Sequence, residues 1–202
     1  MVVAVAAMLC VAVLSMNSDA IASYAESMVG KFGLYVGEKK IKLSEMTPIE
    51  VDLEKYYAYR ENTDNGCLFE NQKALEEHTG IVLTESKHLE LIYISALIAE
   101  GYQTGHLSME VICETGQYGM NGMFILEGYD HNRFKYGYGV DVEPYYTYEY
   151  AEDKYAYFVR ADGSEKKQAV YFVERGIMYQ LFVENSEEGT EHGKQIVKYM
   201  AE

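Results

Sequence analysis

From Leu89 to Val183 the chain is a succession of short segments, some alternating apolar and polar residues and some continuously apolar, with turn residues between them. Leu107, Met109, Val111 and Cys113 alternate with Ser108, Glu110 and Glu114. Successive side chains of a strand point to opposite faces, so this is the signature of a half-buried strand. Tyr155 to Arg160, Ala169 to Glu174 and Met178 to Val183 read as further strands, with Asp162-Gly163 and Arg175-Gly176 as the turns between them. Met123 to Leu126 is a further apolar run. Parallel neighbours need crossovers of about a dozen residues, usually helical, and none separates these segments. The pattern therefore predicts an antiparallel meander. Leu89 to Ile98 is apolar on both alternating sets, Leu89, Leu91, Tyr93 and Leu97 against Ile92, Ile94, Ala96 and Ile98. Such a strand is expected to be central and covered on both faces. The good helix formers from Ser95 to Ala99 keep a helix as the competing reading.

Helices flank this region. Asn71 to Thr79 reads as a short helix, with Asn71 as N-cap and Gly80 as the residue that ends it. Asn185-Ser186 opens a terminal helix whose apolar face is Ile196, Val197 and Met200. Gly189 and Gly193 make that helix weak on propensity, each costing about 1 kcal/mol relative to alanine. It must therefore dock on a sheet face, and Tyr179, Leu181 and Val183 supply one. Nearer the N-terminus, Leu34 to Val36 and Ile41 to Leu43 flank Gly37 to Lys40 as a hairpin, and Ile49, Val51 and Leu53 alternate as another strand. Elements are segregated rather than alternating. The predicted fold class is α+β, an antiparallel meander with a short internal helix and a C-terminal helix on one face. With two prolines in 202 residues and no linker composition, residues 23–202 read as one domain.

Residues 1–22 are of a different kind. Val2 to Met16 carries no charge, and Asn17, Ser18 and Asp19 end the run. That is short of the roughly 20 apolar residues of a membrane-spanning helix and near the upper length of a signal-peptide core. Ala20-Ile21-Ala22 offers a small-residue cleavage site, and helix is expected to continue from Ile21 to Met28. No Lys or Arg precedes the run, which raises the expectation of a longer hydrophobic segment or a start site placed too late. Met8 and Leu9 before Cys10 make a poor lipidation signal. The segment reads as an N-terminal hydrophobic helix for export or anchoring, with a buried core helix as the alternative.

The net charge is −15. Such a surface repels nucleic-acid phosphates and anionic headgroups, so no nucleic-acid partner is expected. Twenty tyrosines without any tryptophan fit half-buried strands, where the ring packs and the hydroxyl stays wet. Tyr146, Tyr148 and Tyr150 share one strand face. They are either the packed face of the sheet or a ligand platform able to stack on sugar rings or peptide side chains. Cys67 and Cys113 would allow one disulfide in an exported protein, but two cysteines define no framework, and two thiols are the expectation. The phosphate-loop, nucleophile-elbow, zincin and C-x-x-C patterns are absent from the sequence. Gly137-Tyr138-Gly139 lacks the third glycine of a dinucleotide loop. Glu61 to Gly66 resembles a calcium loop, but Thr63 and Gln72 occupy ligand positions and leave a turn. His78, His88, His106, His131 and His192 are scattered, with no zinc spacing. Asp141 and Glu143 share a strand face without defining a catalytic pair. No catalytic residue, metal or cofactor is assigned.

Two stretches carry a family resemblance. SDAIASYAESMVGKFGLYVGEKKI, from Ser18, resembles the region following the membrane segment in Gram-positive anti-sigma-factor-like proteins. KYAYFVRADGSEKKQAVYFVERGIMYQLFVENSEEGTEHGKQIVKYM, from Lys154, resembles a C-terminal domain of unknown function found in such membrane-tethered proteins. The resemblance departs from the family pattern in that no cytoplasmic sigma-binding segment precedes the apolar run in this sequence, so direct sigma-factor binding is not expected of this chain. It implies a non-enzymatic sensing or binding domain on the outer face of the cell membrane, or secreted. The expected partner is a protein, a small molecule or a cell-wall ligand. A cell-envelope hydrolase using an unrecognised carboxylate pair and a structural envelope protein are the rival expectations.

Overall fold

The computed structural model describes residues 34–36, 39–41, 47–59, 66–99, 101, 104–127, 138–140, 144–160 and 166–202. The apolar N-terminal segment, the helix expected up to Met28, the turns at Asn62 to Asn65 and Asp162-Gly163, His131 and the Asp141–Glu143 pair lie outside these residues. Among the described residues no helix is long and apolar enough to cross a membrane.

The predicted antiparallel sheet is present, with eight strands. In chain order they are β3 (Cys67–Asn71), β4 (Glu90–Ile98), β5 (Thr104–Cys113), β6 (Gly116–Ile125), β8 (Tyr146–Ala151), β9 (Lys154–Arg160), β10 (Lys167–Glu174) and β11 (Ile177–Glu184). A separate three-stranded sheet joins β1 (Leu34–Val36), β2 (Lys39–Ile41) and β7 (Tyr138–Val140). There β1 and β2 pair antiparallel, as expected of a hairpin, but Lys39 and Lys40, expected in the turn, belong to β2, and β7 runs parallel to β1. The spatial order of the large sheet is β3-β4-β5-β6-β11-β10-β9-β8. Two meanders thus enter from opposite edges and meet at the β6–β11 pair in the middle.

Three helices line one face: α1 (Leu53–Tyr59), α2 (Gln72–Thr79) and α3 (Glu187–Met200). Tyr56, Leu75, Ile196, Val197 and Met200 join Phe69, Ile94, Val111, Phe124, Phe158, Val170, Phe172, Tyr179, Leu181 and Val183 in a single core. The caps expected for α2 are observed. The Asn71 side chain accepts from the Ala74 amide, and Gly80, at φ 76°, closes the helix with its N–H on the Glu76 carbonyl.

Helix α3 shows why two glycines stand in a helix that must dock. Burying three large apolar side chains contributes about 1.5–3 kcal/mol each, against about 1 kcal/mol lost at each glycine, so packing wins. A Cβ on Gly193 would lie 2.9 Å from the Phe158 ring and 3.2 Å from Val170, and one on Gly189 would overlap the Glu184 carbonyl. The glycines let the helix backbone approach the sheet. Ser186 caps it by accepting from the Gly189 amide at 3.0 Å. Fully buried Gln168 fastens its first turn, donating to the Glu184 carbonyl at 2.7 Å and to Thr190 Oγ1 at 3.0 Å while accepting from the Tyr145 hydroxyl.

Two expectations are corrected. Pro48 to Leu53 is not a strand. Ile49 alone bridges Leu126, in parallel, with its amide 2.8 Å from the Ile125 carbonyl. Asp52 then starts α1 by accepting from the Lys55 amide at 3.0 Å, a bond that, with the Lys55 ammonium, holds its carboxyl below the usual value. The alternation was real but too short to compete with a capped helix. Strand β4 is also not covered on both faces: Leu91, Ile94, Ala96 and Ile98 are buried, while Tyr93 is 63% and Leu97 37% exposed. A β-bulge between Ile92 and Ser95, with Tyr93 at φ 50°, inserts one extra residue and moves the core face from odd to even positions. Both alternating sets read as apolar because each faces the core over part of the strand.

One core group is left unsatisfied. Among the described residues, the Tyr179 hydroxyl is a buried side-chain polar atom with no hydrogen-bond partner, and burial pushes its pKa far above the ordinary value. Its ring stacks on Phe172 at 5.1 Å. Phenylalanine keeps the stacking and removes the desolvated hydroxyl, so Tyr179→Phe is expected to be neutral or to stabilise by about 1–3 kcal/mol. A lowered thermal midpoint for that variant would show that the hydroxyl has a partner after all.

Candidate functional site

The tyrosine strip predicted on β8 is brought together on one face, and that face is the one carrying α3. Tyr146, Tyr148 and Tyr150 are half-buried against the main core. The Tyr146 ring meets Phe158 edge-on at 5.4 Å. Lys194 of α3 sits over it, with Nζ 4.6 Å from the Tyr146 centroid and 5.8 Å from that of Tyr148. Glu191, 2.7 Å from Lys194, and then Tyr146 hold the Lys194 ammonium above its usual pKa. Tyr150 donates to the Val173 carbonyl at 2.6 Å, next to Glu174, whose carboxylate takes Lys154 at 2.8 Å. The strip's ring faces and one of its hydroxyls are thus engaged by the protein itself.

The opposite face of the sheet is different. Register aligns one residue from each of five neighbouring strands. Ser95 faces Ser108, Ser108 faces Asn121, Asn121 faces Gln180, and Gln180 faces Tyr171. Neighbouring strands lie about 4.8 Å apart, so the row runs for about 19 Å across the sheet. A groove of about 410 Å³ lies over it, and Leu97, His106, Met123 and Met178 form its apolar and imidazole border. That volume is within the range of small-molecule sites, about 300–1,000 Å³. His106, Ser108 and Asn121 are exposed, and Ser95, Met123 and Gln180 are half-buried.

The row is uncharged. Gln180 Nε2 donates to the Tyr171 hydroxyl at 2.6 Å, which orients the amide. Tyr157 continues the row next to Tyr171, and burial, with a smaller contribution from Tyr155, pushes its phenol up to about 12. It therefore stays neutral at any physiological pH. The nearest carboxylate along β5 is Glu110, two residues from Ser108, and Gln117 engages it. A chain with a net charge of −15 thus keeps its groove floor free of charge. Beyond the groove, Leu68 stands opposite Ser95 on the edge strand and is 63% exposed.

Sequence reasoning missed this row. Ser108 is legible as an outward residue of its strand, but nothing local aligns it with Gln180, 72 positions away in the chain. The other histidines have structural company. His78 stacks on Tyr59 at 4.0 Å, His88 on Tyr199 at 4.8 Å, and His192 Nδ1 lies 2.9 Å from the Tyr118 hydroxyl. Among the described residues no group of His, Cys, Asp and Glu is arranged to hold a metal. Cys67 and Cys113 carry thiols rather than a shared disulfide. Cys67 is level with Leu107 through Ala96, and Cys113 is six residues further along β5, about 20 Å away. Comparison with family models, curated proteins and solved structures finds no match to this chain.

Proposed function

We propose that the chain is a non-enzymatic binding domain acting outside the cytoplasm, secreted or held at the membrane by its N-terminal apolar segment. Its ligand lies on the sheet face opposite the helices, which is exposed over β4 to β6 and buried by a second apolar cluster over β9 and β10. The observation that carries the reading is the row Ser95, Ser108, Asn121, Gln180 and Tyr171 on the floor of a groove. Hydroxyls and amides fix a ligand's orientation by hydrogen bonds, and the border of exposed Leu97 and half-buried Met123, with Met178 buried behind them, supplies the apolar contact that small-ligand sites need. None of the row is a strong base or an activated nucleophile, so it suits holding better than turnover. The groove is the better ligand surface than Tyr146, Tyr148 and Tyr150, because α3 already occupies that strip. In an anti-sigma-type system, such a groove would be the outer, signal-receiving end.

The location is tested with a reporter fused after Glu202, which is expected to be active only when exported. Activity confined to the cytoplasm would overturn it. The binding surface is tested by co-sedimentation of the purified chain with isolated cell envelopes. Ser108→Trp fills the groove from an exposed position, and the bound affinity is expected to fall by at least about tenfold, or 1.4 kcal/mol, with the thermal midpoint unchanged. Equal sedimentation of both forms would remove the groove from the account, and failure of the unsubstituted chain to sediment would remove an envelope ligand.

A further inference from the structure

We infer that the groove takes a neutral, extended oligosaccharide lying across the strands, an inference that rests on reading the groove over β4, β5, β6 and β11 as the ligand surface. Three features point to this class. The first is charge. The five side chains of the row bear none, although the chain as a whole is strongly acidic, and His106 is the basic side chain lining the groove. An anionic ligand would find no cluster of Lys or Arg there, and a cation would find no carboxylate in the lining.

The second feature is spacing. Ser95, Ser108, Asn121 and Gln180 recur once per strand, about 4.8 Å apart. One pyranose ring adds a similar length to an extended sugar chain, so each ring can present a hydroxyl to each side chain in turn. Serine hydroxyls and side-chain amides both donate and accept, which matches the dual character of sugar hydroxyls. Among the described residues, the side-chain polar groups of Ser95, Ser108 and Asn121 are not tied to other protein groups, and Gln180 is oriented by Tyr171. This contrasts with the far end of β5 and β6, where Glu110, Glu114 and Tyr118 are bonded to Gln117, Gln195 and His192.

The third feature is the border. A sugar ring has apolar C–H faces as well as hydroxyls. Leu97, Met123 and Met178 flank the row through direct cross-strand neighbours, with Leu97 opposite His106, His106 opposite Met123 and Met123 opposite Met178. The half-buried Met123 thioether is flexible enough to follow a ring surface, while Met178 is buried beneath it. An extended peptide could also lie on this face, but its backbone hydrogen bonds are better met at a sheet edge than on a face of side chains.

The test is a titration of the 15N-labelled 202-residue chain with chitohexaose, cellohexaose and a neutral six-residue peptide, followed by NMR. The sugars are expected to shift the amide signals of Ser108, Asn121 and Gln180 saturably. Asn121→Ala and Gln180→Ala should each weaken binding by about tenfold. Because no ion pairs form, affinity should change less than about twofold between roughly 0.05 and 0.5 M salt. If the peptide moves the groove signals and neither sugar does, the glycan assignment fails and the groove stands as a binding surface. If no probe moves the groove signals, or the shifts map elsewhere, the glycan assignment fails, and loss of the Ser108→Trp effect on envelope binding would then bring down the groove itself.

Discussion

Tyr56→Ala is expected to destabilise the fold by about 3–5 kcal/mol, as large aromatic truncations in cores do, and Tyr56→Phe by about 1–3 kcal/mol. Tyr56 is the fully buried residue of α1. Its hydroxyl donates to the Ala96 carbonyl at 3.0 Å and accepts from the Ile98 amide at 3.0 Å. Strand β3 begins at Cys67, opposite Ala96, so Ile98 lies past the start of the β3 register. The tyrosine oxygen thus bonds the β4 backbone at the end of the β3 pairing. Removing only the oxygen leaves buried backbone groups of β4 short of a partner, and removing the ring adds a cavity between α1 and the sheet. Chemical denaturation of both variants measures the two contributions separately. A Tyr56→Phe variant as stable as the parent would show that water replaces the hydroxyl and that α1 is held by packing alone.

Ile196→Ala is expected to cost about 2–5 kcal/mol, a large part of the stability of an ordinary domain. Ile196, Val197 and Met200 are fully buried against Tyr179, Leu181 and Val183 in the same core. A peripheral helix would tolerate the change within about 0.5 kcal/mol. Gly189 and Gly193 sharpen the expectation. Their missing side chains bring the α3 backbone close to Glu184 and Phe158, so the surroundings have little room to collapse into the cavity left at position 196. Thermal unfolding decides it, and an unchanged midpoint would mean that α3 does not hold the sheet.

Local signals carried far in this protein. The α2 caps were legible because Asn71 and Gly80 act within one turn of the helix they bound. The docking face of α3 was legible because a helix with two interior glycines cannot persist without burial. Strands β9, β10 and β11 were legible as short apolar runs between turns and are largely buried on both faces. Strand β5 announced itself by alternation, since a strand with one face on the core must alternate. The same rule misled at β4. A single extra residue at Tyr93 reverses which set faces inward, and a bulge has no reliable signature in an apolar run. At Leu53, six alternating residues were outweighed by one carboxylate placed to cap a helix.

What the sequence by itself determined is most of the elements and, at β5 and α3, the face that is buried: an antiparallel α+β fold with α2 and α3 at recognisable positions and Tyr146, Tyr148 and Tyr150 on one side of one strand. Those properties follow from interactions spanning a few residues, the period of two along strands and the capping of helix ends. Only the tertiary structure decided that β6 pairs with β11 rather than with its successor, that the tyrosine strip lies on the face carrying α3, and that Ser95, Ser108, Asn121, Gln180 and Tyr171 form one row. A row across a sheet depends on the register of every intervening pair, and a slip of one residue in any of them would turn that strand's contribution to the other face. Register at β6–β11 is set by core packing between segments far apart in the chain, so the candidate ligand surface exists only once the two meanders have met.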